Sequence, residues 1–461
     1  MKQCHPAQIG RYPLAGILGH GGMGTVYRAL AAKSGRIVAL KLLSPSEPLL
    51  AAVGMAGLRE IFDTEAAIMS GLSHPHIAEV LDSGLDEQGR PFYVMEHFCV
   101  NLGMLIGEQY LVEKPCRRVP ADKAVTYGCQ ILAALQYMHS AGVIHRDIKP
   151  FNILVSEADT IKICDFGLAK RMREKTISAP GMHIGSPYYT APEQLGNPEG
   201  ADGRADLYAA GVLLYRMLTG ELPAMKGFML SQVNPQYDGS WDVFFARALS
   251  WRPDQRFQSA AEMVEALGRL ELRRERMRRN HQARASINTQ QLRFSPLRVS
   301  GDKARAVFAV DQLWQPLAPS CQRFTVRDTD TVLDETTRLI WQRHPSEKPV
   351  DRKNAAELVG ALNETRFAGI DLWRLPTVDE LLSLTRDPAL SPAVSDRIPL
   401  PGKSDWFWSC DRRSAQTSWY VNTCLGFAGW QYNDCRYAVR AVASISVLSR
   451  GAGTPPSVAG Q

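Results

Sequence analysis

Residues 143–155 read VIHRDIKPFNILV. Between the apolar pairs at its ends, His145, Arg146, Asp147, Lys149 and Asn152 place a carboxylate, cations and an amide on one short connection. Charges beside a core are costly unless they are paired or used, so this connection is a candidate chemical site. A second candidate is ILGHGGMGTVYRA, where Gly19, Gly21 and Gly24 form a G-x-G-x-x-G-x-V pattern between alternating stretches. Glycines there let the backbone turn tightly and approach phosphate oxygens; a Gly-rich hairpin without function would carry the same pattern. RIVALKLL follows, holding Lys41 in an apolar, β-branched run. A lone Lys in such a strand usually snorkels from an edge. Coming after the glycine loop, it reads as the cation that holds nucleotide phosphates.

These groups need elements to position them. LREIFDTEAAIMSGLSHPHI has a helical pattern whose inward stripe is Ile61, Ile68 and Leu72. Glu65 falls on that stripe while Glu60 falls off it, so Glu65 is the expected ion-pair partner of Lys41. TIKICDFGLAK sets Asp165 after an alternating strand.

The 461 residues suffice for two or three domains, and 22% charged residues is ordinary for a globular chain. No apolar run reaches the ~18 residues of a membrane span, and the N-terminus has no signal-peptide core. Nine Cys without paired spacing read as reduced thiols. A cytoplasmic location follows as the expectation. The formal charge of +6 is uneven: Arg269 to Arg305 holds eleven Lys/Arg and three Asp/Glu. That window reads as a solvated helix extension running into a linker, with weak peripheral contact to an anionic membrane as the alternative. Without interleaved aromatics, nucleic acid is not an expected partner. The expected divisions are 8–272, a basic linker 273–310, a second domain 311–446 and a disordered tail 447–461.

The ordered set GHGGMGTV, VALK, HPHIAEVLDSG, YVMEHF, HRDIKPFN, DFG, APE, ADLYAAGVLLYRMLTG and RPDQRF resembles a bacterial, eukaryotic-like serine/threonine protein kinase over about residues 10–270. The resemblance implies a two-lobed α+β fold that transfers the ATP γ-phosphate to protein Ser/Thr hydroxyls. It implies a nucleotide site of Gly19, His20, Gly21, Gly22, Met23, Gly24, Val26, Ala39, Lys41, Met95, Glu96 and Phe98. Asp147 would accept or orient the substrate hydroxyl proton, Lys149 would reach the γ-phosphate, and Asn152 and Asp165 would hold Mg2+. Asp206 resembles the helix Asp that orients the catalytic loop, and Glu193 with Arg256 resembles a buried ion pair. Arg146 before Asp147 implies control by phosphorylation, with Thr176 and Ser178 as candidate sites. Ser186 stands where the family more often has Thr. A kinase-fold scaffold presenting the second domain is the alternative.

The second domain is Trp-rich, with Trp341, Trp373, Trp406, Trp408, Trp419 and Trp430 within 90 residues. Such clustering more often fills a small core than lines a stacking surface. DLWRLPTVDELLSL, with TRLIWQR before and YAVRAV after it, resembles the Lcl C-terminal-type family, which implies a smaller α+β, C-type-lectin-like fold. Sensing an unknown ligand or recruiting substrate is its expected role. Asp371, Arg374, Asp379 and Glu380 invite a metal reading, but Thr377 with Glu380 reads better as a helix capping box.

Overall fold

A computed structural model describes residues 8–32, 34–108, 114–156, 159–167, 169–171, 188–196, 200–223, 229–233, 237–278, 292–317, 324–385 and 405–444. Thr176, Ser178 and Ser186 lie outside them. The chain forms two compact units, Met1–Asn280 and His281–Gln461.

The first unit begins with strands β1 (Gln8–Ile9), β2 (Tyr12–His20), β3 (Gly24–Leu30) and β4 (Ile37–Leu43), then helix α1 (Glu47–Ser70), β5 (Val80–Leu85) and β6 (Pro91–Glu96). The sheet order is β1-β2-β3-β4-β6-β5, antiparallel throughout. One face buries Tyr12, Tyr27, Leu40, Leu42, Phe92 and Val94. The opposite face carries Lys41 and Tyr93, which are register partners. Helix α1 packs its stripe of Leu58, Phe62, Glu65, Ile68 and Met69 inward. The stripe passes through Phe62, whereas Ile61 is only half-buried; the turn places Phe62 and Glu65 three residues apart on one face. Gly54 breaks this helix at φ +76°.

Then come β7 (Val100–Asn101), α2 (Leu102–Ile106), α3 (Ala121–Ser140), β8 (Val143–Ile144), β9 (Ile153–Val155), β10 (Ile161–Ile163) and β11 (Lys170–Arg171). Helices α4 (Pro192–Gly196), α5 (Gly203–Thr219), α6 (Leu230–Val233), α7 (Gly239–Ala248) and α8 (Ala260–Arg278) complete the unit. Helix α5 is buried along nearly its whole length, as its apolar sequence LYAAGVLLYRML requires. Helix α8 buries Met263, Leu267 and Leu270, while Val264 is half-buried.

The second unit contains α9 (Asp302–Val307), β12 (Phe324–Val326), β13 (Thr331–Asp334), β14 (Leu339–Gln342), α10 (Arg352–Glu364), α11 (Val378–Ser383), β15 (Trp406–Arg412), β16 (Thr417–Asn422), β17 (Phe427–Tyr432) and β18 (Val442–Ser444). Its sheets run β12-β13-β14-β18 and β15-β16-β17. Five of the six clustered Trp are buried at 0–3%, while Trp430 is 38% exposed; the cluster is mainly core. Ala304, Phe308 and Val310 join that core, so part of the stretch expected as linker packs with the second unit. Their side chains cover apolar surface that α11 and β16 would otherwise leave wet. Thr377 and Glu380 form the expected capping box of α11.

Candidate active site

The glycine loop is the β2–β3 hairpin, closed by Gly21 N–H donating to the Gly24 carbonyl at 2.8 Å. A Cβ on Gly24 would lie 2.2 Å from the Leu42 carbonyl oxygen, so strand contact demands glycine there. A Cβ on Gly19 would meet nothing within 4 Å; no packing within the protein requires glycine at that position. Ser44 and Ser46 N–H groups donate to the Met23 and Gly22 carbonyls at 3.2 and 2.9 Å, tying the loop to the approach to α1. His20 Nδ1 meets Thr25 Oγ1 at 3.1 Å.

Lys41 reaches Glu65 at 2.7 and 3.0 Å and Asp165 at 2.9 Å. Burial opposes the Lys41 charge, but Asp165 and Glu65 outweigh it and hold the ammonium protonated well above its ordinary range. Burial raises the Glu65 carboxyl, with Lys41 countering. The Lys41 ammonium holds Asp165 well below the usual carboxylate range. Tyr93 donates its hydroxyl to Glu65 Oε1 at 2.8 Å and packs on Phe62. No motif announces Tyr93: it is one member of the apolar run PFYVME, and only its register opposite Lys41 exposes it as a partner of the pair.

Val26 pairs with Lys41 across β3–β4, and Ala39 pairs with Met95 across β4–β6. These place Val26, Ala39 and Met95 on the sheet face that carries Lys41. At its rear, Glu96 accepts from Lys162 at 2.5 Å, leaving its side chain engaged. The Phe98 ring lies 5.9 Å from Lys162. His97, between them, is held neutral by burial and by Arg28, its pKa lowered to about 4.

Asp147 receives Lys149 Nζ at 2.7 Å and Asn152 Nδ2 at 3.0 Å, and its own N–H donates to His145 Nδ1 at 3.2 Å. Asn152 also donates to the Asp147 carbonyl at 2.8 Å. Both amide hydrogens are thus spent, and Asn152 Oδ1 accepts from no donor among the described residues. Burial raises the Asp147 carboxyl and Lys149 opposes it. Asp206 holds the loop from beneath by accepting the N–H groups of His145 and Arg146 at 2.9 and 2.7 Å and His139 Nε2 at 2.8 Å. Arg146 and Asp165 both sit at positive φ, 69° and 65°, a strained geometry that surrounding bonds must enforce. His145 packs on Phe166 with ring centres 4.9 Å apart. Glu193 and Arg256 form a bidentate pair at 2.7 Å on both arms. Sequence reasoning did not find the buried pair Glu108–Arg216 (2.8 Å), which Tyr189 joins at 3.1 Å.

The description "Protein kinase domain" matches residues 12–289, more than half of the chain. The chain belongs to the protein kinase family. Within this kinase unit, serine/threonine-protein kinase PksC of Streptomyces coelicolor is 36% identical over 276 residues, 55% of this chain and 48% of that protein. The probable serine/threonine-protein kinase PknB of Corynebacterium glutamicum is 32% identical over 313 residues, 62% of this chain and 45% of that protein. The chain therefore spans about half the length of these curated relatives. The solved kinase domain of Mycobacterium tuberculosis PknI, a double mutant, is 27% identical with a TM-score of 0.44, covering 59% of this chain and 99% of that one. Residues 330–443 match the Lcl C-terminal domain.

In that second unit Arg374 pairs with Glu380 at 2.7 and 2.5 Å, while Asp379 and Asp411 both receive Arg293. Asp371 lies 3.9 Å from Arg366. The acidic residues of the signature therefore pair with arginines. Among the described residues no helix is long and apolar enough to cross a membrane.

Proposed function

We propose that the chain transfers the γ-phosphate of ATP to Ser or Thr hydroxyls of polypeptides. The observation that carries this reading is the joined set Lys41–Glu65–Asp165 together with Asp147–Lys149–Asn152. In-line phosphoryl transfer asks for positioning and charge neutralisation more than covalent chemistry. Lys41, held by Glu65 and Tyr93, presents a fixed cation to the phosphates beneath the glycine loop. Val26, Ala39 and Met95 receive the adenine, with the backbone from Glu96 to Phe98 bonding its edge.

Asp147 orients the substrate hydroxyl and takes its proton. Lys149 bonds that carboxylate and offsets charge on the transferring group. The donor chemistry suits a hard cation: Asp165 is an ionised carboxylate whose side chain is 44% exposed, and Asn152 has one oriented oxygen to spare. Those two residues would hold Mg2+, which supplies charge neutralisation for the phosphate oxygens when bound. Arg146 stands ready to dock a phosphate on Thr176 or Ser178 of the activation segment. The second unit senses a ligand or recruits substrate.

Incubation of purified chain with Mg2+ and γ-labelled ATP, beside Asp147→Asn, tests the reading. Label on protein Ser or Thr, reduced at least 100-fold in the variant, is the expected result. Equal labelling in both, or ATP binding without any transfer, would leave a scaffold that presents the second unit.

A further inference from the structure

Arg352 opens α10 and is only 9% exposed. Its N–H donates to the Asn433 carbonyl at 2.8 Å, which sets the helix start beside the β17 end. The side chain is poorly met. Nη2 lies 3.5 Å from the Cys410 carbonyl, and Nε is buried without any partner. Among the described residues no Asp or Glu forms an ion pair with it. The neighbouring charge is another cation: burial first, and Arg412 second, push the Arg352 guanidinium below its ordinary range.

Two carboxylates near Arg352 are engaged elsewhere: Asp351 caps α10 through Asn354, and the charge of Asp411 only partly offsets the burial of Arg352. Asp411 is fully buried, and it accepts Arg293 at 2.9 Å on each arm and the N–H groups of Leu297 and Val378 at 2.7 and 2.8 Å. Arg412, which follows it, is exposed, and among the described residues its side chain has no hydrogen bond or ion pair. Arg298 lies alongside, joined to Arg412 by a parallel bridge with Arg412 N–H on the Leu297 carbonyl at 2.8 Å and Val299 N–H on the Arg412 carbonyl at 3.0 Å. Arg298 is likewise exposed, and it has no ion pair among the described residues.

Arg352, Arg412 and Arg298 thus lie near one another, and among the described residues none of the three forms an ion pair with a carboxylate. A guanidinium at the depth of Arg352 is costly unless an anion completes its bonding. Its planar fork matches carboxylate or phosphate oxygens. Several cations together favour the doubly charged of those two ions, whose three oxygens can each accept.

We propose that this corner of the second unit binds a phosphate monoester dianion, as carried by a phosphorylated Ser or Thr side chain, with Arg352 as the inner ligand and Arg412 and Arg298 at the rim. The choice of a phosphorylated side chain as the source rests on the kinase reading of the first unit; the anion site does not. The second unit would then read the product class that the first unit makes.

The test uses the full chain in phosphate-free buffer, titrated with inorganic phosphate against chloride at equal ionic strength, following tryptophan fluorescence and thermal unfolding. Phosphate should raise the unfolding midpoint of the wild type, and chloride should not. Arg352→Met should abolish the phosphate-induced shift while its midpoint without phosphate stays level or rises, because an uncompensated charge is gone. Arg412→Ala, at an exposed position, should weaken phosphate binding about tenfold. A wild type that phosphate does not move, or an Arg412→Ala chain that binds phosphate unchanged, overturns the site.

A phosphoserine peptide should bind at least tenfold tighter than its unphosphorylated twin and than free phosphate; equal binding of peptide and free phosphate overturns the polypeptide source. The Asp147→Asn chain must keep the site. Loss of transfer and loss of phosphate binding are therefore read separately.

Discussion

Lys149 shares a bond of 2.7 Å with Asp147, the proposed base, and on that reading the bond governs when the base is available. Burial raises the Asp147 carboxyl and the Lys149 ammonium pulls it back. A base must be deprotonated to act, so the rate climbs as pH rises through its pKa. Removing Lys149 takes away the opposing charge, and the pKa goes up further. In Lys149→Met, kcat should fall at least tenfold and the acidic limb of the kcat–pH profile should move to higher pH. An acidic limb that stays in place, or moves down, would remove Lys149 from control of the base. Tyr93 belongs to the same scale: its hydroxyl fixes one oxygen of Glu65 while Lys41 bridges both, so the ion pair has a single geometry.

Among the elements, the glycine loop separates two roles that one motif conflates. Gly24 is needed by the strand, because a Cβ there would collide with the Leu42 carbonyl at 2.2 Å. Gly19 faces open space. Gly24→Ala should therefore lower the thermal midpoint of the first unit, whereas Gly19→Ala should leave that midpoint unchanged and raise KM for ATP severalfold. Equal effects on stability from both would contradict this division.

The Glu193–Arg256 pair joins α4 to the turn before α8, with the Arg256 side chain wholly buried. Cutting one partner leaves that charge uncompensated. Glu193→Gln should cost about 3–5 kcal/mol in denaturant unfolding of the kinase unit. Little change in the midpoint would mean that water replaces the lost carboxylate.

On the scale of the whole chain, the second core begins earlier than composition suggests. Leu292, Val299, Ala304, Phe308 and Val310 pack on or within it. A chain ending at Asn280 should remain soluble and active on a generic peptide substrate. One ending at residue 310 retains apolar side chains whose core is missing, and should aggregate on heating or bind a hydrophobic dye. Indistinguishable solubility of the two truncations would count against this boundary.

Motif order along the chain was enough to indicate a kinase fold, because each group expected to handle phosphate is a residue type with few substitutes at a set place. Lys41, Glu65, Asp147, Asn152 and Asp165 were legible for that reason, and so was the capping box at Thr377. Helical periodicity alone picked Glu65 over Glu60, since an unpaired carboxylate does not sit on an apolar stripe. Tyr93 and the Glu108–Arg216–Tyr189 contact were not legible, nor was the unpaired Arg352. Their residue types are common, and their meaning lies in partners 28, 81 and 108 residues away or in partners that are missing. The share of residues 292–310 in the second core was hidden for a related reason. Their charge and weak periodicity are local, whereas burial depends on surfaces that only the folded chain brings together.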